Sequence, residues 1–246
     1  MILEMDMGNT RIKWRIRDGG IKLSQGFVGT EESLTSLSGV LNPYLGAIQS
    51  VLVVSVVGDQ LEQKLVAWSI ASLGVRPQFV RTGFICGAVR NGYHEPLMLG
   101  ADRWLAINAA YRLTIDACVV ISFGTATTLD LLASDGEHLG GFIAPGFGLM
   151  LATLTSAARQ VRLESSSELS LSPGITTTDA VYSAIAAMLT GLIDNGVRQL
   201  RAHSCDVEYQ IVFTGGDAER FLPFYPQARL VPDLVLDGIA CVLENS

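Results

Sequence analysis

The chain lacks most of the features that mark a secreted, membrane-bound or metal-clustered protein. Its first residues, Met1-Ile2-Leu3-Glu4-Met5-Asp6, carry no basic flank and no long apolar run. They read as neither a signal peptide nor a membrane span, so the expectation is a cytoplasmic protein with no membrane partner. The four cysteines, at positions 86, 118, 205 and 241, have no paired spacing. That argues against a zinc site and a disulfide framework, and they read as reduced filler. The three histidines, His94, His138 and His203, are scattered, and each reads as a surface or structural residue. Positive charge is also short: a formal net charge of -7 and a pI near 4.9 repel phosphate backbones, which disfavours a nucleic-acid partner. An anionic ligand must then be met by a local site. No Pro- or Ser-rich linker marks a domain boundary near Asp116, and the 246 residues, 49% of them hydrophobic, suit one large domain or two closely packed ones.

What the chain does have is a glycine turn set between short strands. Residues 2–6 form a compact apolar strand. After the turn, Ile12, Trp14 and Ile16 alternate with Arg11, Lys13, Arg15 and Arg17, the period of a half-buried strand. Asp18-Gly19-Gly20 reverses the chain into a third strand over 21–28, giving an antiparallel meander. Residues 51–57 form an apolar run suited to a strand buried on both faces. A helix follows over 60–73, with Gly74 as its stop. Another strand is expected near Phe79, and a further helix over 104–113.

The same order then returns. Residues 118–123 form a strand that ends in Gly124-Thr125-Ala126-Thr127 and runs into 128–132, with a second Asp-Gly turn at Asp135-Gly136. When Gly8 is aligned with Gly124, the two Asp-Gly turns fall one residue apart. Duplication of a half-molecule explains this, with domains at 1–115 and 116–246.

Both glycine turns suit phosphate. Glycine lets the backbone approach an anion, while hydroxyls and amides donate to it. In the first, Gly8 gives the approach, Asn9 and Thr10 donate, Lys13 adds charge, and Asp6 can hold hydrated magnesium. In the second, Gly124, Thr125 and Thr127 are the matching donors. Alone, the first turn reads more readily as an ordinary hairpin. A third element, Thr214-Gly215-Gly216-Asp217, follows a strand over 210–213 and precedes an expected helix, the form of a glycine turn at a nucleotide. A tight strand-to-helix connection accounts for it as well. Together the three elements point to one ATP cleft between two halves.

These doubled turns resemble the superfamily of acetate and sugar kinases, actin and heat-shock chaperone ATPases, whose two ribonuclease H-like domains clasp ATP. Within it, five segments look like type III pantothenate kinase: Asn91-Gly92-Tyr93, residues 100–104, residues 123–128, residues 140–146 and residues 214–217. The resemblance implies an α/β fold of two duplicated ribonuclease H-like domains. It also implies ATP-dependent phosphorylation of pantothenate, the first step of coenzyme A synthesis, in a homodimer with shared sites. By position it makes residues 6–13 the first ATP segment, has Thr125 contact ATP in the second, and casts Asp102 as general base. Tyr93, Gly100, Ala101, Arg103 and Thr177 would hold pantothenate, Thr177 from the partner subunit. An aspartate at the start of a helix, a core-edge tyrosine and a capping threonine remain ordinary explanations for Asp102, Tyr93 and Thr177.

One position departs from the pattern. Two residues before Gly124 stands Ser122, where these kinases carry an aspartate for a monovalent cation, potassium or ammonium. A neutral oxygen there lowers cation affinity. Two alternatives stay open: a related kinase for another small alcohol or acid, and a non-catalytic regulator descended from the kinase.

Overall fold

The alternation at the N-terminus does produce strands. In the computed structural model, which describes residues 1–30, 34–158, 163–164, 168–203 and 208–244, β1 (Ile2–Met7), β2 (Arg11–Asp18) and β3 (Ile21–Gly29) form the expected antiparallel meander. Gly19 and Gly20 both take positive φ in the turn between β2 and β3, a conformation glycine adopts without steric cost. Next come α1 (Leu34–Leu41), β4 (Ser50–Ser55), α2 (Asp59–Leu73) and β5 (Gln78–Phe79). Gly74 closes α2 in the left-handed conformation at φ 69°, the stop read from the sequence. The apolar run of β4 lies parallel to β1 and is buried from Val51 to Ser55. The sheet order is β3-β2-β1-β4-β5.

Two short strands, β6 (Ile85–Cys86) and β7 (Val89–Arg90), precede α3 (Ala101–Thr114). The plan then repeats. Strands β8 (Ala117–Phe123), β9 (Ala126–Leu132) and β10 (His138–Pro145) form a second antiparallel meander. After α4 (Phe147–Ala157) and α5 (Thr177–His203), β11 (Tyr209–Gly215) runs parallel to β8, and β12 (Arg229–Leu230) parallel to β11. The order β10-β9-β8-β11-β12 reproduces the first sheet strand for strand. The echo in the sequence is therefore an echo of topology, and the fold is α/β with two ribonuclease H-like sheets.

The sequence reading places a boundary at 115/116. The compact units are interleaved: unit 1 comprises Met1–Gly87, His94–Ala109 and Leu234–Ser246, and unit 2 comprises Ala88–Tyr93 and Ala110–Asp233. Helix α6 (Leu234–Glu244) is in unit 1 because it packs on β1 and β4. Gly238 lets it approach α3, since a Cβ there would lie 2.2 Å from the Leu105 carbonyl oxygen. This packing covers part of the polar face of β2 as well. Arg15 is buried, its Nε donating to Glu4 at 2.6 Å and its Nη1 to Asp237 of α6 at 2.6 Å.

The core of unit 1 gathers Leu3, Met5, Ile16, Leu37, Val53 and Leu65. Unit 2 is built around Phe123, which stacks on Phe221 and meets Phe213 edge-on. Helix α5 is long and apolar enough to cross a membrane. Its stripe of Tyr182, Ile185, Leu189 and Ile193, however, lies in the unit 2 core, the pattern of a core helix. The helix expected after Thr214–Asp217 is a 3₁₀ segment, Ala218–Phe224, with Pro223 inside it. Proline removes a backbone donor, which keeps the segment short. Among the cysteines, Cys86, Cys118 and Cys241 are free and buried, and burial pushes the Cys86 thiol to about 11, which makes it inert. Cys205 lies outside the described residues.

Candidate active site

In unit 1 the first glycine turn leaves β1 just after Asp6. The Gly8 amide donates to the Arg11 carbonyl at 3.0 Å, and a Cβ on Gly8 would come within 3.2 Å of that oxygen. From the end of β3, the Thr30 hydroxyl donates to the Gly8 carbonyl at 2.7 Å and the Thr30 amide to that of Thr10 at 3.0 Å. With the loop's carbonyls held in this way, Asn9 and Thr10 face outward, both exposed. Lys13 sits opposite Asp6 in the β1–β2 register.

Asp6 itself is half-buried. Its carboxyl is raised from 3.8 to about 6, chiefly by burial; Lys13 opposes the shift and Asp102 adds to it. Asp102 therefore lies close enough to repel Asp6, and the structure brings Asp6, Lys13 and Asp102 into one electrostatic neighbourhood. Two acids that disfavour each other's charge are what a cationic or proton-accepting site contains.

Asp102 stands in the first turn of α3. Its Oδ1 accepts from the Arg103 amide at 2.8 Å, and a Cβ on Gly100 would meet that oxygen at 2.7 Å. Gly100 thus clears the space into which the carboxylate folds. The loop before α3 is held where the Thr82 hydroxyl donates to the Leu99 carbonyl at 2.7 Å. Ala101 and Arg103 are buried and Asp102 is half-buried.

Unit 2 brings together the other two glycine elements. The Gly124 amide donates to the Ala126 carbonyl at 3.1 Å, while the Thr125 carbonyl accepts from the Gly146 amide at 2.9 Å. Gly215 has φ +97°, and a Cβ there would lie 2.3 Å from the Phe123 carbonyl oxygen. That same oxygen accepts from the Asp217 amide at 3.3 Å. Only glycine allows the Thr214–Asp217 turn to rest on the end of β8 beside Gly124. Gly124, Thr125 and Gly216 are exposed. Thr127, read as a donor, is instead buried with its hydroxyl unpartnered, because it alternates to the inner face of β9.

Ser122 occupies in β8 the place of Asp6 in β1, two residues before the turn glycine. Its neighbours across the sheet are Thr128 and Thr214, so the surroundings offer neutral oxygens. Among the described residues, no group of three or more His, Cys, Asp or Glu could hold a metal ion. A magnesium ion here would depend on Asp6, on water and on the nucleotide's own phosphates, a ligand set the ion commonly takes. Asp6 fits that use, since a bound cation favours the ionised carboxylate that burial, and to a lesser degree Asp102, disfavours.

Tyr93 lies in unit 2, half-buried, with its ring 5.9 Å from that of His138 and nearly parallel to it at 13°. Thr177 opens α5 and is exposed. The capping role belongs to its neighbour: the Thr176 hydroxyl accepts from the Asp179 amide at 3.1 Å and donates to the Asp179 carboxylate at 2.8 Å. Thr177 is not needed as a cap.

The residues missed in the sequence are Asp130 and His138. Both are buried, with His138 Nε2 and Asp130 Oδ1 2.9 Å apart. A lone carboxylate in the apolar run of β9 was the available signal, since a buried charge requires a partner.

Comparison with known proteins identifies the family. A family model for type III pantothenate kinase matches residues 2–199. The type III pantothenate kinase of Ectopseudomonas mendocina is 39% identical over 255 residues, spanning 99% of this chain and all of its own length. That of Pseudomonas fluorescens is 38% identical, spanning 98% of each chain. Among solved structures, a Campylobacter jejuni protein described as a conserved putative Baf family transcriptional activator is similar with TM-score 0.62 at 20% identity, covering 98% of this chain and 97% of its own. A putative 2-dehydro-3-deoxygalactonokinase from Sinorhizobium meliloti is similar with TM-score 0.60 at 14% identity, covering 99% and 98%. At these identities the two structures speak to fold alone.

Proposed function

The chain belongs to the type III pantothenate kinase family, and we propose that it carries out the family reaction with Asp102 as its general base. The enzyme phosphorylates pantothenate with ATP, forming phosphopantothenate for coenzyme A synthesis. The observation that carries the assignment of Asp102 is its place in the first turn of α3, near enough to Asp6 and the first phosphate turn for its charge to help raise the Asp6 carboxyl.

The chemistry asks mainly for positioning and charge neutralisation. The Asp102 carboxylate accepts the proton of pantothenate's primary hydroxyl as that oxygen attacks the γ-phosphorus. The bond from phosphorus to the β,γ-bridging oxygen breaks, and ADP leaves with its electron pair. A positioned base of this kind is worth on the order of 10²- to 10⁴-fold. In the first ATP segment Gly8, Asn9, Thr10 and Lys13 bind phosphate; in unit 2, Gly124, Thr125, Gly215 and Gly216 do so. Asp6, with the phosphates, would hold magnesium, which would supply charge neutralisation. Gly100, Ala101, Arg103 and Tyr93 hold pantothenate.

Ser122 and its threonine neighbours do not fit a tightly bound monovalent cation, so the enzyme is weakly dependent on potassium or ammonium. A homodimer, with Thr177 reaching the partner's substrate, is supported by the exposure of Ile143, Leu149, Leu154, Ile175 and Met188 on unit 2. The net charge of -7 supports the absence of a nucleic-acid partner, and use of ATP supports a cytoplasmic location. Pantothenate-dependent ADP formation, with Asp102→Asn as control, tests the assignment. A variant as active as the wild type would return the related-kinase and regulator readings to first place.

A further inference from the structure

Beneath the Asn91-Gly92-Tyr93 motif lies a buried pair that the reaction described above does not use. Asp130 is 2% exposed and His138 is 1% exposed. Their 2.9 Å contact runs from Oδ1 to Nε2, while Nδ1 is buried with no hydrogen-bond partner. A protonated Nδ1 would need an acceptor, so the proton sits on Nε2 and is donated to Asp130. One hydrogen bond thereby sets both the tautomer and the plane of the ring. Above that plane Tyr93 lies nearly parallel at 5.9 Å. The backbone is seated on the same residue, since a Cβ on Gly92 would fall 1.7 Å from the His138 carbonyl oxygen. The Tyr93 amide donates to Asn91 Oδ1 at 3.1 Å, which closes the turn. Strand β7, which leads into the motif, is tied to the β9–β10 turn as well, the Arg90 amide donating to the Gly136 carbonyl at 2.9 Å.

We infer that His138, oriented by Asp130, is a positioning residue for pantothenate binding: its imidazole face fixes the ring of Tyr93 in the attitude that meets the substrate. Asp130 lies on β9, the strand that leaves the second phosphate turn, so one strand supports both the nucleotide segment and the tyrosine platform. The inference rests on reading Tyr93 as a substrate contact.

Steady-state kinetics on the full chain, with pantothenate and ATP varied separately, tests it through three variants. His138→Leu fills the site without a flat face, and His138→Phe restores the face. Both remove the same His138–Asp130 hydrogen bond, so their difference isolates the stacked ring. The expected result is that His138→Leu raises KM for pantothenate about three- to tenfold, the worth of an aromatic pair, while His138→Phe stays within about twofold of the wild type and KM for ATP is unchanged in both. Equal behaviour of the Leu and Phe variants, or a parallel rise in both KM values, overturns the inference. Tyr93→Ala separates the two levels. If it leaves KM for pantothenate unchanged, the substrate role of Tyr93 falls and the platform with it; if it raises that KM while Leu and Phe behave alike, the platform alone falls.

Discussion

Replacing Asp6 by asparagine removes a carboxyl whose ionisation the fold opposes. Its pKa rises from 3.8 to about 6, mainly through burial and further through Asp102, against the pull of Lys13. At about 1.36 kcal/mol per unit, ionised Asp6 costs the folded state about 3 kcal/mol above pH 7. Well below pH 3.8 the group is protonated in both folded and unfolded chains and costs nothing. Between those limits the folded state binds more protons than the unfolded one, so this contribution to stability falls as pH rises. About 1.4 kcal/mol of the cost accumulates between pH 5 and pH 8. In urea denaturation without nucleotide, Asp6→Asn is therefore more stable than the wild type at pH 8, and its advantage shrinks by about 1.4 kcal/mol at pH 5. Asp102→Asn removes one source of the shift and gives a smaller gain of the same sign. An Asp6→Asn advantage that stays constant from pH 5 to pH 8 would mean that Asp6 ionises at its ordinary value, and the proposed acidic neighbourhood would be wrong. The same titration has a kinetic side: ionised Asp6 is the form that would hold magnesium, so kcat/KM for ATP is expected to climb through pH 6.

Other consequences are equally direct. Glu4→Ala removes the buried carboxylate that Arg15 Nε donates to at 2.6 Å and costs about 3–5 kcal/mol in denaturant unfolding; a loss under about 1 kcal/mol would show that the remaining partners of Arg15, Asp237 among them, suffice. Ser122→Asp strengthens activation by potassium, while the wild type responds weakly; strong activation that is the same in both proteins would contradict the account of Ser122. Thr177→Ala raises KM for pantothenate without lowering stability, whereas Thr176→Ala costs about 1 kcal/mol and leaves that KM alone. Swapped effects in the same pair of assays would return Thr177 to a capping role.

Local patterns in the chain were legible because they depend on neighbours in sequence. The alternation of Ile12, Trp14 and Ile16, the Asp-Gly turns and the Gly74 stop each act within a few residues, and the repeated turn revealed the repeated sheet. The burial of Arg15 was not legible because its cover comes from α6, 222 residues away at Asp237. Helix α1 went unread because Ser36, Ser38 and Gly39 resemble a loop, although Leu37 and Leu41 are fully buried. The candidate site divides in the same way. Its glycines and Asp102 follow from motif and turn chemistry, while the Asp130–His138 pair under Tyr93 emerges only when β9, β10 and the 88–93 segment pack together. Thr127 lay in a legible motif, yet strand alternation turned it inward.

The assignment of Asp102 is tested most directly by pantothenate-dependent ADP formation in the wild type and Asp102→Asn, with ATP binding measured in parallel. The account predicts that the variant binds ATP about as well as the wild type while its turnover falls on the order of 10²- to 10⁴-fold. Turnover undiminished in Asp102→Asn would contradict it.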